Sequence, residues 1–79
     1  MERYADRAGS SGVAAYRIED DALVVRFKDG ATYRYSVASC GASAIADMQR
    51  LAEAGRGLNR YINRHVHDRF EARLDPPDD

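Results

Sequence analysis

Apolar and polar residues alternate in three stretches of the first half of the chain, then fall at three- and four-residue intervals in the second half. Val13–Ile18 alternates weakly, with Ala14, Tyr16 and Ile18 on one side. Leu23–Phe27 alternates cleanly, with Leu23, Val25 and Phe27 together, and Ala31–Val37 aligns Tyr33, Tyr35 and Val37. Successive side chains of a strand point to opposite faces, so this pattern predicts three half-buried strands. Taking Asp20-Asp21 as a two-residue loop pairs Ile18 with Leu23 and Tyr16 with Val25. At Lys28-Asp29-Gly30, a two-residue loop would set Val25 opposite Arg34. A three-residue loop with Gly30 in the left-handed conformation sets Val25 opposite Tyr33 and Leu23 opposite Tyr35. It keeps the apolar face whole and is the register expected.

Beyond the third strand the period becomes helical. Ile45, Met48, Leu51 and Ala52 make one stripe, with Ser39 as the expected N-cap and Gly55 as the stop. Leu58, Tyr61, Ile62, His65, Val66 and Phe70 make a second stripe reaching toward Leu74, with Asn59 as a candidate cap. The predicted fold class is therefore α+β: a three-stranded antiparallel β-meander followed by two helices packed on one face. Residues 1–9 lack an apolar period and read as a flexible N-terminal arm, residues 10–74 as the domain, and residues 75–79 as an acidic disordered tail.

The 79 residues fit a single domain, which at this size buries only about 60% of the surface its unfolded chain exposes. A thin core argues against a deep substrate cleft. With 44% hydrophobic and 32% charged residues the chain has a globular balance. No apolar run approaches a membrane span, and Met1–Arg7 lacks the apolar centre of a secretory signal. The single cysteine, Cys40, allows no intramolecular disulfide, so a cytoplasmic location without membrane contact is expected.

Charge sharpens the picture. The net value of −1 hides a basic middle flanked by acidic ends, and nearly all of the basic residues are Arg, whose forked donors suit phosphate and carboxylate. The chosen register puts Arg17, Val24 and Arg34 in one row on the outer face of the sheet, with Arg26 and Lys28 on the same side and Glu19 as the nearest counter-charge. A basic patch is expected there. Arg56, Arg60 and Arg64, together with Asn59, form a second candidate contact strip at the glycine-rich bend and the helix after it.

The order of motifs resembles the KTSC domain, a short module named for its occurrence at the C-terminus of some lysyl-tRNA synthetases and also found alone in small bacterial and phage proteins. The features that carry the resemblance are Ser10-Ser11-Gly12-Val13, Leu23-Val24-Val25-Arg26-Phe27, Gly30 with Tyr33-Arg34-Tyr35, and Gly55-Arg56-Gly57-Leu58-Asn59-Arg60-Tyr61-Ile62, spanning roughly residues 10–66. The chain departs from the family pattern at Ala38, where proline is usual, and at Leu51-Ala52-Glu53-Ala54. The resemblance implies an α+β fold without an established activity, and RNA binding is the role suggested for the family.

No catalytic, metal or cofactor site is expected. His65 and His67 stand two apart, which sends them to different sides of a helix; His65 should pack beside Tyr61 and His67 should be exposed. Cys40 has no base implied by its spacing. Tyr33 and Tyr35 share a side with Leu23 and Val25 and are assigned to the core rather than to a base-stacking platform. The expected function is a small non-catalytic binding module, for RNA or another nucleic acid, using Arg17, Arg26, Lys28, Arg34, Arg56, Asn59, Arg60 and Arg64. The alternative is a protein-binding module, such as a phage- or mobile-element-encoded inhibitor of a host protein complex, with a homodimer through a sheet edge as a further option.

Overall fold

The computed structural model describes residues 1–74; the stretch expected as an acidic tail lies outside the described residues. Its strands run antiparallel in sequential order within one open sheet: β1 (Glu2–Arg3), β2 (Val13–Glu19), β3 (Ala22–Phe27), β4 (Thr32–Ser36) and β5 (Ala72–Arg73). The helical part is α1 (Val37–Cys40), α2 (Ala42–Ala54) and α3 (Leu58–Tyr61), which runs directly into a π-helical turn at Ile62–Val66. The architecture is α+β, but the sheet has five strands rather than the three expected.

The meander β2–β4 has the predicted register. Ile18 faces Leu23, Tyr16 faces Val25, Val25 faces Tyr33, and Leu23 faces Tyr35. The second turn is the three-residue loop: Gly30 has φ of 96°, its N–H donates to the Phe27 carbonyl at 2.9 Å, and the Phe27 N–H donates to the Ala31 carbonyl at 2.8 Å. One detail differs. A register shift between Val13 and Ala15 makes Ala14 the extra residue of a β-bulge. The bulge turns Val13 rather than Ala14 into the core, while Ile18, expected inside, is 39% exposed.

The expected loose arm is instead built into the fold. β1 pairs with β2, Glu2 facing Tyr16 and Arg3 facing Ala15, and the Tyr4 N–H donates to the carbonyl of bulged Ala14 at 3.0 Å. Tyr4 is 3% exposed, and its hydroxyl accepts from the Leu58 N–H at 3.3 Å, satisfying a donor at the start of α3. Ala5 then lies against Gly55. A Cβ added at Gly55 would sit 2.5 Å from that of Ala5, and Gly55 has φ of 74°, so both packing and backbone demand glycine there. The sequence carries no sign of this anchoring, because Tyr4 is the one large apolar residue between Glu2 and Ser11 and leaves no period to detect.

Helix boundaries also move. Ser36, not Ser39, caps α1: its hydroxyl accepts from the Ser39 N–H at 3.1 Å, and the Ser36 N–H donates to the Ser39 hydroxyl at 3.1 Å, so Ser39 is the third residue of a capping box. Gly41 separates α1 from α2, and α2 ends at Gly55 as predicted. Asn59 is not a cap; Gly57 precedes α3, and Asn59 lies within it. The second stripe stops at Val66. The chain then turns through His67–Arg69, which offer nothing apolar to bury, and returns along β4. There the Glu71 N–H donates to Arg34 and the Leu74 N–H to Thr32, each at 2.7 Å. Phe70 and Leu74 are thus outside any helix.

The core forms where α2, α3 and the π-helical turn cover one face of the sheet. Leu23, Val25, Tyr35, Met48, Leu58 and Val66 are all buried there, each contributing roughly 1.5–3 kcal/mol of transfer free energy. Gln49 of α2 fixes the layers together, its side-chain amide donating to the Glu19 and Ala22 carbonyls at 2.9 and 3.0 Å. No described helix is long and apolar enough to cross a membrane.

Candidate functional site

The two arginine groups singled out in the sequence lie on different layers, the sheet and the helical part, and differ in their partners. On the outer sheet face, Arg17, Val24 and Arg34 share one row, as the register required. Val24 is fully buried although it stands outside the core cluster that the described helices cover, and the long stems of Arg17 and Arg34 lie beside it in the row. Their charges are engaged. Arg34 Nη2 lies 3.0 Å from Glu19 and 3.5 Å from Asp21, and its Nη1 lies 2.8 Å from Glu71. Arg17 reaches the other oxygen of Glu19 at 3.2 Å. Burial of the Arg34 guanidinium works against its charge, but the bonds to Glu19 and Glu71 prevail and hold its pKa above the ordinary value. Arg26, facing Thr32 in the next row, is half-buried. Lys28 is exposed and bonded to Asp6 at 2.8 Å. The outer face is therefore a mixed ion-pair network, not the nearly acid-free patch expected. Asp21 arrives from the first turn and Glu71 from the residue just before β5, neither of which the predicted row included.

The second group is different. Arg56, Arg60 and Arg64 are all exposed, and among the described residues none has a carboxylate within ion-pair distance. Arg60 and Arg64 line a groove of about 680 Å³ whose opposite wall is Ala8, Ser10 and Ser11. That wall exists because the N-terminal segment is folded back. The Arg7 N–H and Nε donate to the Gly55 and Ala54 carbonyls at 2.7 and 3.0 Å, and Asp6 accepts from the Ser11 N–H at 3.1 Å. Asn59 and Asn63 also line the groove, and their side-chain amides make no hydrogen bond among the described residues.

The same two asparagines line a second cleft of about 580 Å³ at the end of the sheet, with Phe27, Tyr33, Tyr35 and Phe70. The Tyr33 ring is 4.6 Å from Phe70 and 5.9 Å, edge-on, from Phe27, and the Arg73 guanidinium lies 5.5 Å from its centroid. Tyr35 is core, as assigned, and its burial pushes its hydroxyl pKa well up. Tyr33, assigned with it, packs against the core but is only half-buried, its remaining surface lining the cleft. Phe70 is the part of this cluster that sequence reasoning missed, because a helical stripe had absorbed it.

Elsewhere the side chains are occupied structurally. His65 stacks on Tyr61 with ring centroids 4.5 Å apart, and the Tyr61 hydroxyl donates to Asp47 at 3.2 Å; burial and that carboxylate raise the Tyr61 pKa. The Cys40 thiol donates to the Arg69 carbonyl at 3.2 Å. Among the described residues no three His, Cys, Asp or Glu side chains cluster as metal ligands would. Comparison with protein-family models, curated proteins and solved structures returns no significant match.

Proposed function

We propose that this chain is a small non-catalytic binding module that holds the backbone of a single-stranded nucleic acid, RNA first among them, in the groove between Ser10–Ser11 and the helix bearing Arg60 and Arg64. One observation carries the reading: exposed arginines without acidic partners line a groove whose walls are folded in place, whereas the sheet arginines spend their donors on Glu19, Asp21 and Glu71. Guanidinium forks without carboxylates are poised for phosphate. Asn59 and Asn63 add neutral donors and acceptors beside them. The resemblance to the KTSC domain points the same way. Arg17, Arg26, Lys28 and Arg34 then act as scaffold, and contact falls to Arg56, Asn59, Arg60 and Arg64.

The test is a salt titration of single-stranded RNA binding with wild type and with Arg60→Gln/Arg64→Gln. Loss of two phosphate contacts should flatten the log–log salt dependence by about 1.4 and leave the melting temperature nearly unchanged. An unchanged salt slope would move the site elsewhere. Absence of nucleic-acid binding at low salt, with a stoichiometric protein recovered on the same groove, would establish the protein-binding alternative.

A further inference from the structure

We infer that the cleft at the end of the sheet is a nucleobase subsite, taking one unstacked base of the strand whose phosphates lie on Arg60 and Arg64; this rests on the function proposed above. Three properties of the cleft point to a base. Phe27, Tyr33 and Phe70 give it aromatic walls, and Phe70 remains 37% exposed although it is large and apolar. Aromatic rings kept partly open beside a cationic groove are the arrangement by which proteins stack single-stranded bases. Asn59 and Asn63, whose amides make no hydrogen bond among the described residues, line the cleft and the arginine groove alike. A donor–acceptor pair on one amide matches the edge of a base. Contiguity is the third property: the two depressions meet at these asparagines, so a strand lying on Arg60 and Arg64 needs to turn only one base across Asn63 to enter. The cleft volume of about 580 Å³ accommodates such a group.

Phe70 enters the cleft from the segment before β5, which is held by the Glu71–Arg34 ion pair and by the bond from the Glu71 N–H to the Arg34 carbonyl. The outer-face network therefore has a purpose beyond neutralising arginine: it fixes the segment that carries the exposed ring. An incoming base would find a positioned wall rather than a loose one, which lowers the cost of ordering on binding.

The experiment compares two fluorescent probes of equal length, a roughly ten-nucleotide single-stranded RNA and an abasic sugar–phosphate oligomer. Wild type should favour the base-bearing probe by about tenfold. Phe70→Ala should abolish that preference while leaving abasic binding intact. If Phe70→Ala lowers the melting temperature, Phe70→Leu, which keeps apolar contact with Tyr33, carries the test. In NMR titrations the Asn63 side-chain amide should shift with the RNA and not with the abasic probe. Equal binding of the two probes, or a preference untouched by either Phe70 variant, overturns the base subsite while the arginine groove stands. Failure of both probes to bind overturns both.

Discussion

The outer sheet face and the helix groove both display arginine, yet one is closed chemically and the other is open. On the sheet, Arg34 by itself meets Glu19, Asp21 and Glu71, which come from β2, the first turn and the residue just before β5. Around the groove, Arg60 and Arg64 face the uncharged Ala8, Ser10 and Ser11. An arginine surrounded by carboxylates ties strands together and has few donors left to offer. An arginine facing hydroxyls and backbone keeps its charge available. Charge counted along a sequence cannot separate these cases; what matters is which acids the fold returns to which bases.

The largest test of this contrast concerns the N-terminal segment, since it supplies the groove wall and, of the ion pairs described for the sheet residues, only Asp6–Lys28. Tyr4→Ala deletes a buried ring and strands the Leu58 N–H. Truncations of this kind cost about 3–5 kcal/mol, most of the stability of a domain this small. Tyr4→Phe keeps the ring and removes only the acceptor, which should cost about 1–3 kcal/mol. Urea unfolding of both variants measures the difference. A loss below about 1 kcal/mol for Tyr4→Ala would show that the arm is not part of the folded unit.

A smaller effect separates the arginines themselves. Arg34→Ala takes this cation from Asp21 and Glu71 and leaves Glu19 with Arg17. The network is neither fully exposed nor dry, so the expected cost is about 1–2 kcal/mol, or a melting temperature lower by roughly 5–15 °C. Affinity for the abasic sugar–phosphate probe, which reads the phosphate contacts alone, should be unaffected for the fraction that is folded. Arg60→Ala/Arg64→Ala should do the reverse, changing stability by no more than about 0.5 kcal/mol and weakening binding. Calorimetric melts and binding titrations on the two proteins should therefore give opposite profiles. If both lose binding equally, the distinction between scaffold and contact arginines collapses.

How much of this was readable beforehand follows the range of the signals. The three central strands and their pairing were legible because alternation and turn length constrain each other; only one register keeps Val25 and Leu23 opposite tyrosines. The stop of α2 at Gly55 was legible for a similar local reason. What sequence could not show was set by long-range return. Glu71 reaches Arg34 because β5 folds back onto β4, and Tyr4 reaches Leu58 across most of the chain. Phe70 satisfied a helical spacing and an aromatic cluster equally well, and tertiary packing chose the cluster. The groove shared that fate: Arg60 and Arg64 were visible as a strip, but their uncharged opposite wall required knowing where residues 8–11 go.

The finest test probes that wall through acid. Asp6 takes its hydrogen bond from Lys28 at 2.8 Å and another from the Ser11 N–H at 3.1 Å, and these hold its carboxyl pKa below the ordinary value, the Lys28 bond contributing most. A depressed carboxylate stabilises the folded state above its unfolded pKa, about 3.9, and that contribution is lost as the pH falls through the lower, folded value. The Ser11 N–H should therefore lose protection from hydrogen exchange in acid before the amides of β3 do. Asp6 has φ of 51°, a conformation asparagine tolerates well, so Asp6→Asn tests charge without straining the turn. In that variant the Ser11 amide should exchange faster at neutral pH and lose its acid transition. Because Arg60 and Arg64 stand across the groove from Ser11, RNA affinity should follow the same transition in wild type and lose it in Asp6→Asn. An Asp6 carboxyl that titrates at its ordinary value would remove the link between acid and the groove wall.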